Sequence, residues 1–202
     1  MDTNLLFVKN YKEFFELKKM VTDTFLIENN LPYKVFQPQF SSFLFEEFDW
    51  CMSNEFWKTI RKIADITDES YIISAVLDPD PIEYFFKEFN YYNWIKIPKD
   101  LPDDSYEETL ELGPKESPAD AILYNSFTIV WLSPSKKWGI WGDREYGVSV
   151  MGFQNEEVKK SLMPFLYSWR SLDETVLSRI GINFRNQKTH QEFGEILKLN
   201  YS

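Results

Sequence analysis

Between Trp131 and Phe153 the chain reads WLSPSKKWGIWGDREYGVSVMGF, which gathers three of its seven tryptophans and four of its seven glycines. Large rings beside residues without side chains suit tightly covered strands, because a glycine in a strand marks a bulge or the close approach of a neighbour. The spacing predicts a three-strand meander over Ala121 to Leu132, Lys137 to Gly142 and Tyr146 to Phe153. Ser133-Pro134-Ser135 supplies the first turn, and Gly142-Asp143-Arg144-Glu145 the second, with the glycine free to take positive φ. Phe127, Ile129 and Trp131 alternate with Thr128, Val130 and Leu132. A strand this apolar on both faces requires cover on both sides. Trp138 and Trp141, three residues apart, fall on opposite faces of their strand.

Around that meander the patterns are mixed. Tyr11, Phe14, Phe15, Leu17, Met20, Val21 and Phe25 recur at helical spacing over Asn10 to Leu26. Ser53 is placed to cap a second helix through Ala64, with Phe56, Trp57, Ile60, Ile63 and Ala64 on one face and Lys58, Arg61 and Lys62 on the other. Tyr71 to Leu77 is a short apolar run stopped by Asp78-Pro79-Asp80-Pro81, which describes a buried strand. Pro81 then suits the first turn of a helix bearing Tyr84, Phe85, Phe86 and Phe89, followed by a brief strand at Trp94 to Ile97. Tyr33 to Trp50 is rich in phenylalanine and reads as extended chain or loop, whereas Lys99 to Ser117 reads as a long acidic loop holding at most one short strand. Helical spacing returns over Val158 to Trp169, with a kink at Pro164, and short helices are expected in Thr175 to Ser202. The expected fold class is therefore α+β, one domain over 1–202, with a mostly antiparallel sheet from Tyr71 to Phe153 and helices from both ends packed on it. Trp57, Trp94, Trp131 and Trp169 are expected in its core.

Charge and cysteine content narrow the function classes. The net charge is −10, and Lys99 to Asp120 supplies −6 of it through eight acids against two lysines. Such a balance disfavours nucleic acid, whose phosphates call for clustered Lys and Arg, and favours a basic partner. One cysteine, Cys51, permits no internal disulfide and fits a reducing compartment, the cytoplasm, for a soluble chain. No apolar run reaches the length of a membrane span, and the first residues lack the basic and apolar stretches of a signal peptide. No membrane association and no cofactor are expected.

Chemistry is sparse. With His190 the only histidine and Cys51 the only cysteine, a zinc site of the usual His and Cys ligands cannot be assembled. Asp100, Asp103 and Asp104 lack the glycine and the twelfth-position glutamate of a calcium loop, so no metal is expected there. His190 sits in a polar run with no nucleophile-elbow sequence in the chain, and reads as a surface residue. Cys51 lies between Trp50 and Met52, an apolar setting that quenches a thiol. Paired carboxylates remain. Glu46, Glu47, Asp143 and Glu145 lie near aromatic residues, and any two at the right separation beside a tryptophan could act as acid and base on a glycoside. The plain alternative for Asp143-Arg144-Glu145 is a charged turn with a local ion pair.

The passage Trp138 to Glu145 with the small, apolar strand Gly147 to Gly152 resembles small cytosolic bacterial proteins of the polymorphic-toxin immunity type, over Trp131 to Phe153 only. The resemblance implies a protein that binds and blocks a toxin, with no catalytic residue to carry over. Together with the acidic segment it gives the leading expectation: a non-catalytic binding protein that meets a basic protein partner through Asp100, Asp103, Asp104, Glu107, Glu108 and Glu111. A carboxylate-based, carbohydrate-active hydrolase stands second, and a scaffold or homo-oligomer pairing its exposed aromatics stands third.

Overall fold

The computed structural model describes residues 6–201, with all side chains but those of Gln187 and Thr189. Six strands form one antiparallel sheet: β1 (Ser42–Glu47), β2 (Tyr71–Asp78), β3 (Trp94–Pro98), β4 (Thr128–Leu132), β5 (Trp138–Asp143) and β6 (Val148–Phe153). Their spatial order is β1-β6-β5-β4-β2-β3. The α+β class expected from the sequence is the one observed, and the β4-β5-β6 meander forms its middle.

Helices cover both faces of the sheet. On one side lie α2 (Phe48–Cys51), α3 (Asn54–Thr67), α5 (Tyr106–Glu111) and α6 (Glu156–Leu162), whose Phe56, Trp57, Ile60, Tyr106 and Leu162 pack on Trp131, Trp138, Ile140 and Met151. On the other lie α1 (Tyr11–Thr24), α7 (Glu174–Gly181) and α8 (Gln187–Tyr201), whose Phe14, Leu17, Val21, Ile180 and Leu197 pack on Trp94, Val130, Trp141 and Val150. Trp138 and Trp141 thus enter different layers, and Trp57, Trp94, Trp131 and Trp169 are all buried. The glycines make the close covering possible. A Cβ at Gly139 would come 2.8 Å from the Phe25 ring, and one at Gly152 would come 2.7 Å from the Phe36 ring.

Local signals account for several boundaries. Asn10 caps α1 by accepting from the N–H of Lys12 at 2.8 Å, and Ser53 caps α3 by accepting from that of Phe56 at 3.3 Å. Asp80 accepts from Ile82 and Glu83 ahead of a π-helical turn, Pro81–Phe86, that runs into α4 (Lys87–Phe89). Both edges of the sheet are met by irregular chain: Val8 N–H donates to Trp94 O at 2.9 Å beside β3, and Phe45 and Arg170 exchange backbone hydrogen bonds beside β1. Covering an edge in this way denies it to another chain.

Five expectations need correction. The sheet begins at Ser42, not Tyr71, because the phenylalanine-rich stretch contributes β1, whose partner β6 lies far ahead in sequence. The acidic segment holds a helical turn and a half, α5, instead of a strand, with Asn54 accepting from the N–H groups of Tyr106 and Glu107 at its start. Residues before Thr128 turn instead of extending the strand back to Ala121. The helix after Asn155 ends at Leu162, and Pro164 sits in a separate 3₁₀ turn, Met163–Phe165, since proline lacks the N–H to continue the ladder. Positive φ falls at Lys136 and Gly147, while Gly142 lies inside β5 opposite Ile129.

Candidate functional site

The six carboxylates expected to face a partner divide into two sets. Asp103 pairs with Arg61, Glu107 accepts from the N–H of Asn54 at 2.8 Å, and Glu111 accepts from the Tyr124 hydroxyl at 3.2 Å. These three hold the acidic segment onto α3 and the turn before β4. Asp100, Asp104 and Glu108 are exposed and make no side-chain hydrogen bond or ion pair among the described residues. Half of the expected surface is therefore structural, and half is free carboxylate.

The four carboxylates weighed for acid and base chemistry fall in two places. Glu46 and Glu47, at the end of β1, both meet Arg179 of α7, at 3.5 and 3.1 Å. Glu46 is 7% exposed and also accepts from the N–H of Glu47 at 2.9 Å. Asp143 and Glu145 instead line a cleft of about 350 Å³, together with Asp78, Thr128, Trp141, Tyr146 and Phe127. The charged turn has no local ion pair. Arg144 donates to the carbonyls of Leu123 and Ser126 at 2.8 and 2.9 Å, and its guanidinium lies 4.7 Å from the centre of the Phe48 ring.

The floor of the cleft is built by strand register. Asp78 pairs with Thr128, and Thr128 with Asp143, so the three form one row across β2, β4 and β5. In regular alternation Asp78 would face away from that row. The register slips between Val76 and Asp78, and this irregularity sets Asp78 opposite Thr128, with both lining the cleft. Bulges of this kind re-aim a side chain. Asp143 is 6% exposed, and its Oδ1 accepts from the N–H of Tyr146 at 3.0 Å. Burial pushes its carboxyl up to about 6, with the charges of Glu145 and Asp78 adding to the effect and the backbone N–H groups of Tyr146 and Glu145 opposing it. Such a group is protonated or ionised according to small changes near neutrality. Asp143 and Glu145 stand out in the sequence as candidates, whereas Asp78 and Thr128 do not, since Asp78 belongs there only to a strand stop.

The lone cysteine and histidine are accounted for by packing. Cys51 is fully buried, and burial pushes its thiol well up. His190 is half-buried, donating from Nε2 to the carbonyl of Leu177 at 2.9 Å, so it binds α8 to α7. Among the described residues no three His, Cys, Asp or Glu side chains converge as metal ligands would, and no helix is long and apolar enough to cross a membrane. No family model matches the chain, and neither curated proteins nor solved structures include a significant match to it.

Proposed function

We propose that this chain is a non-catalytic acidic binding protein that docks a basic protein partner, working as immunity proteins do when they occlude a bacterial toxin in the cytoplasm. The observation that carries the reading is the set of free carboxylates Asp100, Asp104 and Glu108, exposed and without a cation, within a segment that supplies most of the net charge. Like charges held together without neutralisation destabilise a fold unless an opposite charge arrives. The test uses the purified product of the open reading frame directly upstream of the gene, measured by surface plasmon resonance. Association should slow about tenfold or more between low and physiological salt, since screening shortens the reach of surface charge. The triple change Asp100→Lys, Asp104→Lys and Glu108→Lys should slow it further. Binding indifferent to both salt and charge reversal rejects the docking face.

A second reading, a carboxylate-based hydrolase, is favoured by one observation: Asp143 and Glu145 share a cleft beside Trp141, with Asp143 holding its proton to about pH 6. A carboxyl so tuned can serve as a general acid. Turnover of a panel of glycosides and esters, abolished by Asp143→Asn, would establish it. A panel turned over equally by the variant would remove Asp143 from any such role.

A further inference from the structure

We propose that the cleft over β2, β4 and β5 is the seat of a cationic side chain, a lysine ammonium or arginine guanidinium, presented by the basic partner. The inference rests on the docking reading above.

Three observations lead there. First, Asp78, Asp143 and Glu145 all line the cleft, and none of them forms an ion pair with a lysine or arginine among the described residues. Elsewhere the chain does provide cations: Asp23 has Lys19 and Lys136, Asp65 has Lys99, and Glu46 has Arg179. The nearest basic residue in sequence, Arg144, is committed to Leu123 and Ser126. Second, Thr128, between the two aspartates in the row, is 9% exposed and lines the cleft, yet its hydroxyl has no hydrogen bond within the described residues. That hydroxyl opens onto the cleft without a protein partner, so it is free to accept from a guest's N–H. Water would satisfy Thr128 but would bring no positive charge to three carboxylates. Third, the remaining lining is Asn30 together with apolar or aromatic residues, Ile27, Leu77, Trp141, Tyr146 and the exposed Phe127.

The recognised chemistry follows from this set. An ammonium carries three donors and no acceptor, and a guanidinium five, which suits two carboxylates and a hydroxyl in one row. Adjacent strands stand about 4.8 Å apart, so the Cα atoms of Asp78 and Asp143 lie roughly 9.5 Å from one another, wide enough for a cation between their side chains. The methylenes of a basic side chain would lie along Leu77 and Ile27, and its charge near aromatic rings. A bare metal ion is a poorer occupant, as the acids do not converge on one point.

The test is titration calorimetry of the whole protein with N-acetyl-lysinamide, N-acetyl-argininamide and the neutral N-acetyl-norleucinamide. The two cationic amides should bind saturably at one site, and the neutral one should not. Asp143→Asn should weaken that binding about tenfold or more, since a close charge pair is lost. Thr128→Val, which keeps shape and charge, should weaken it by a smaller factor. Lysine substitutions at Asp100, Asp104 and Glu108 should leave it unchanged. Absence of saturable cation binding to the wild-type protein overturns the proposal, as does undiminished binding by both cleft variants. Should the upstream gene product bind with salt dependence while neither cationic amide does, the cleft is wrong and the docking reading stands. Amide binding without any basic protein partner rejects the docking reading instead.

Discussion

Replacing Asp143 with asparagine should make this protein more stable at neutral pH, although it removes a buried hydrogen-bonding side chain. The reason is that burial, with Glu145 and Asp78 alongside, raises its carboxyl from an ordinary 3.8 to about 6. At low pH the side chain is protonated in both the folded and the unfolded chain, and its ionisation contributes nothing. As pH rises through the window between those two values only the unfolded chain loses the proton, so folded stability falls, and above about 6 the full penalty is in place. A gap of this size corresponds to about 3 kcal/mol. Asparagine keeps the volume and can still accept from the N–H of Tyr146, and the charge-assisted part of that bond is already contained in the raised value of the carboxyl, so nothing further is subtracted. The expectation is about 3 kcal/mol of added stability at roughly pH 8, or about 6 to 12 °C in Tm for a chain of this size. Urea denaturation of both proteins at several values from about pH 4 to about pH 8 measures the difference directly. A variant less stable than wild type at the upper end, or a difference that does not vary with pH, refutes the account of Asp143 as a buried carboxylate without a cation.

Asp120 provides the opposite sign: burial alone would raise it, but hydrogen bonds from Ser117, Tyr84 and Asn125 prevail and hold it below its ordinary range. Asp120→Asn should therefore destabilise the protein at neutral pH, and the same urea series should show the loss shrinking as pH falls through the folded value. Tyr106→Phe should cost about 1 to 3 kcal/mol, because it strands the Trp131 indole N–H and the Cys51 carbonyl in the core. Gly152→Ala pushes a Cβ to 2.7 Å from the Phe36 ring, whereas Gly194→Ala in α8 meets nothing closer than 3.4 Å. Thermal melting should register a loss of about 1 to 3 kcal/mol for the first and a gain of up to about 1 kcal/mol for the second.

What could be read from the sequence follows the range of the interactions involved. Ser53 and the apolar face from Phe56 to Ala64 announce α3 because capping and helical periodicity act within a few residues. The run Tyr71 to Leu77 and the glycine-tryptophan meander announce strands for the same reason. β1 is hidden because Leu44, Phe45 and Glu46 are all buried, so no alternation marks it, and the strand that pairs with it lies about a hundred residues on. α5 is too short to show a period and owes its place to Asn54 and Glu107, which bond across two segments. The cleft is legible only in part. Asp143 and Glu145 stand out beside Trp141, but Asp78 reaches the same row through a register slip on β2, and Thr128 joins it through pairing on both its sides. Neither relation leaves a local trace.

The treatment of buried acids elsewhere in the chain gives the cleft its significance. Glu46 has Arg179, Glu69 has the hydroxyl of Ser135, and Asp120 has three side-chain donors. Each of those carboxylates is removed from water and supplied with side-chain partners in the same step, as burial of a charge requires. Asp143 is as deeply buried and has backbone N–H groups alone, with two further acids beside it and an unpaired threonine hydroxyl in its row. A fold that satisfies its other buried acids and leaves this one short of a cation carries a destabilisation that a bound ammonium or guanidinium would remove. Saturating concentrations of N-acetyl-lysinamide should accordingly raise the Tm of the wild-type protein and raise that of Asp143→Asn by clearly less, since a ligand stabilises the state it binds in proportion to the logarithm of its affinity. Equal shifts in both proteins would mean that the amide binds somewhere other than this cleft.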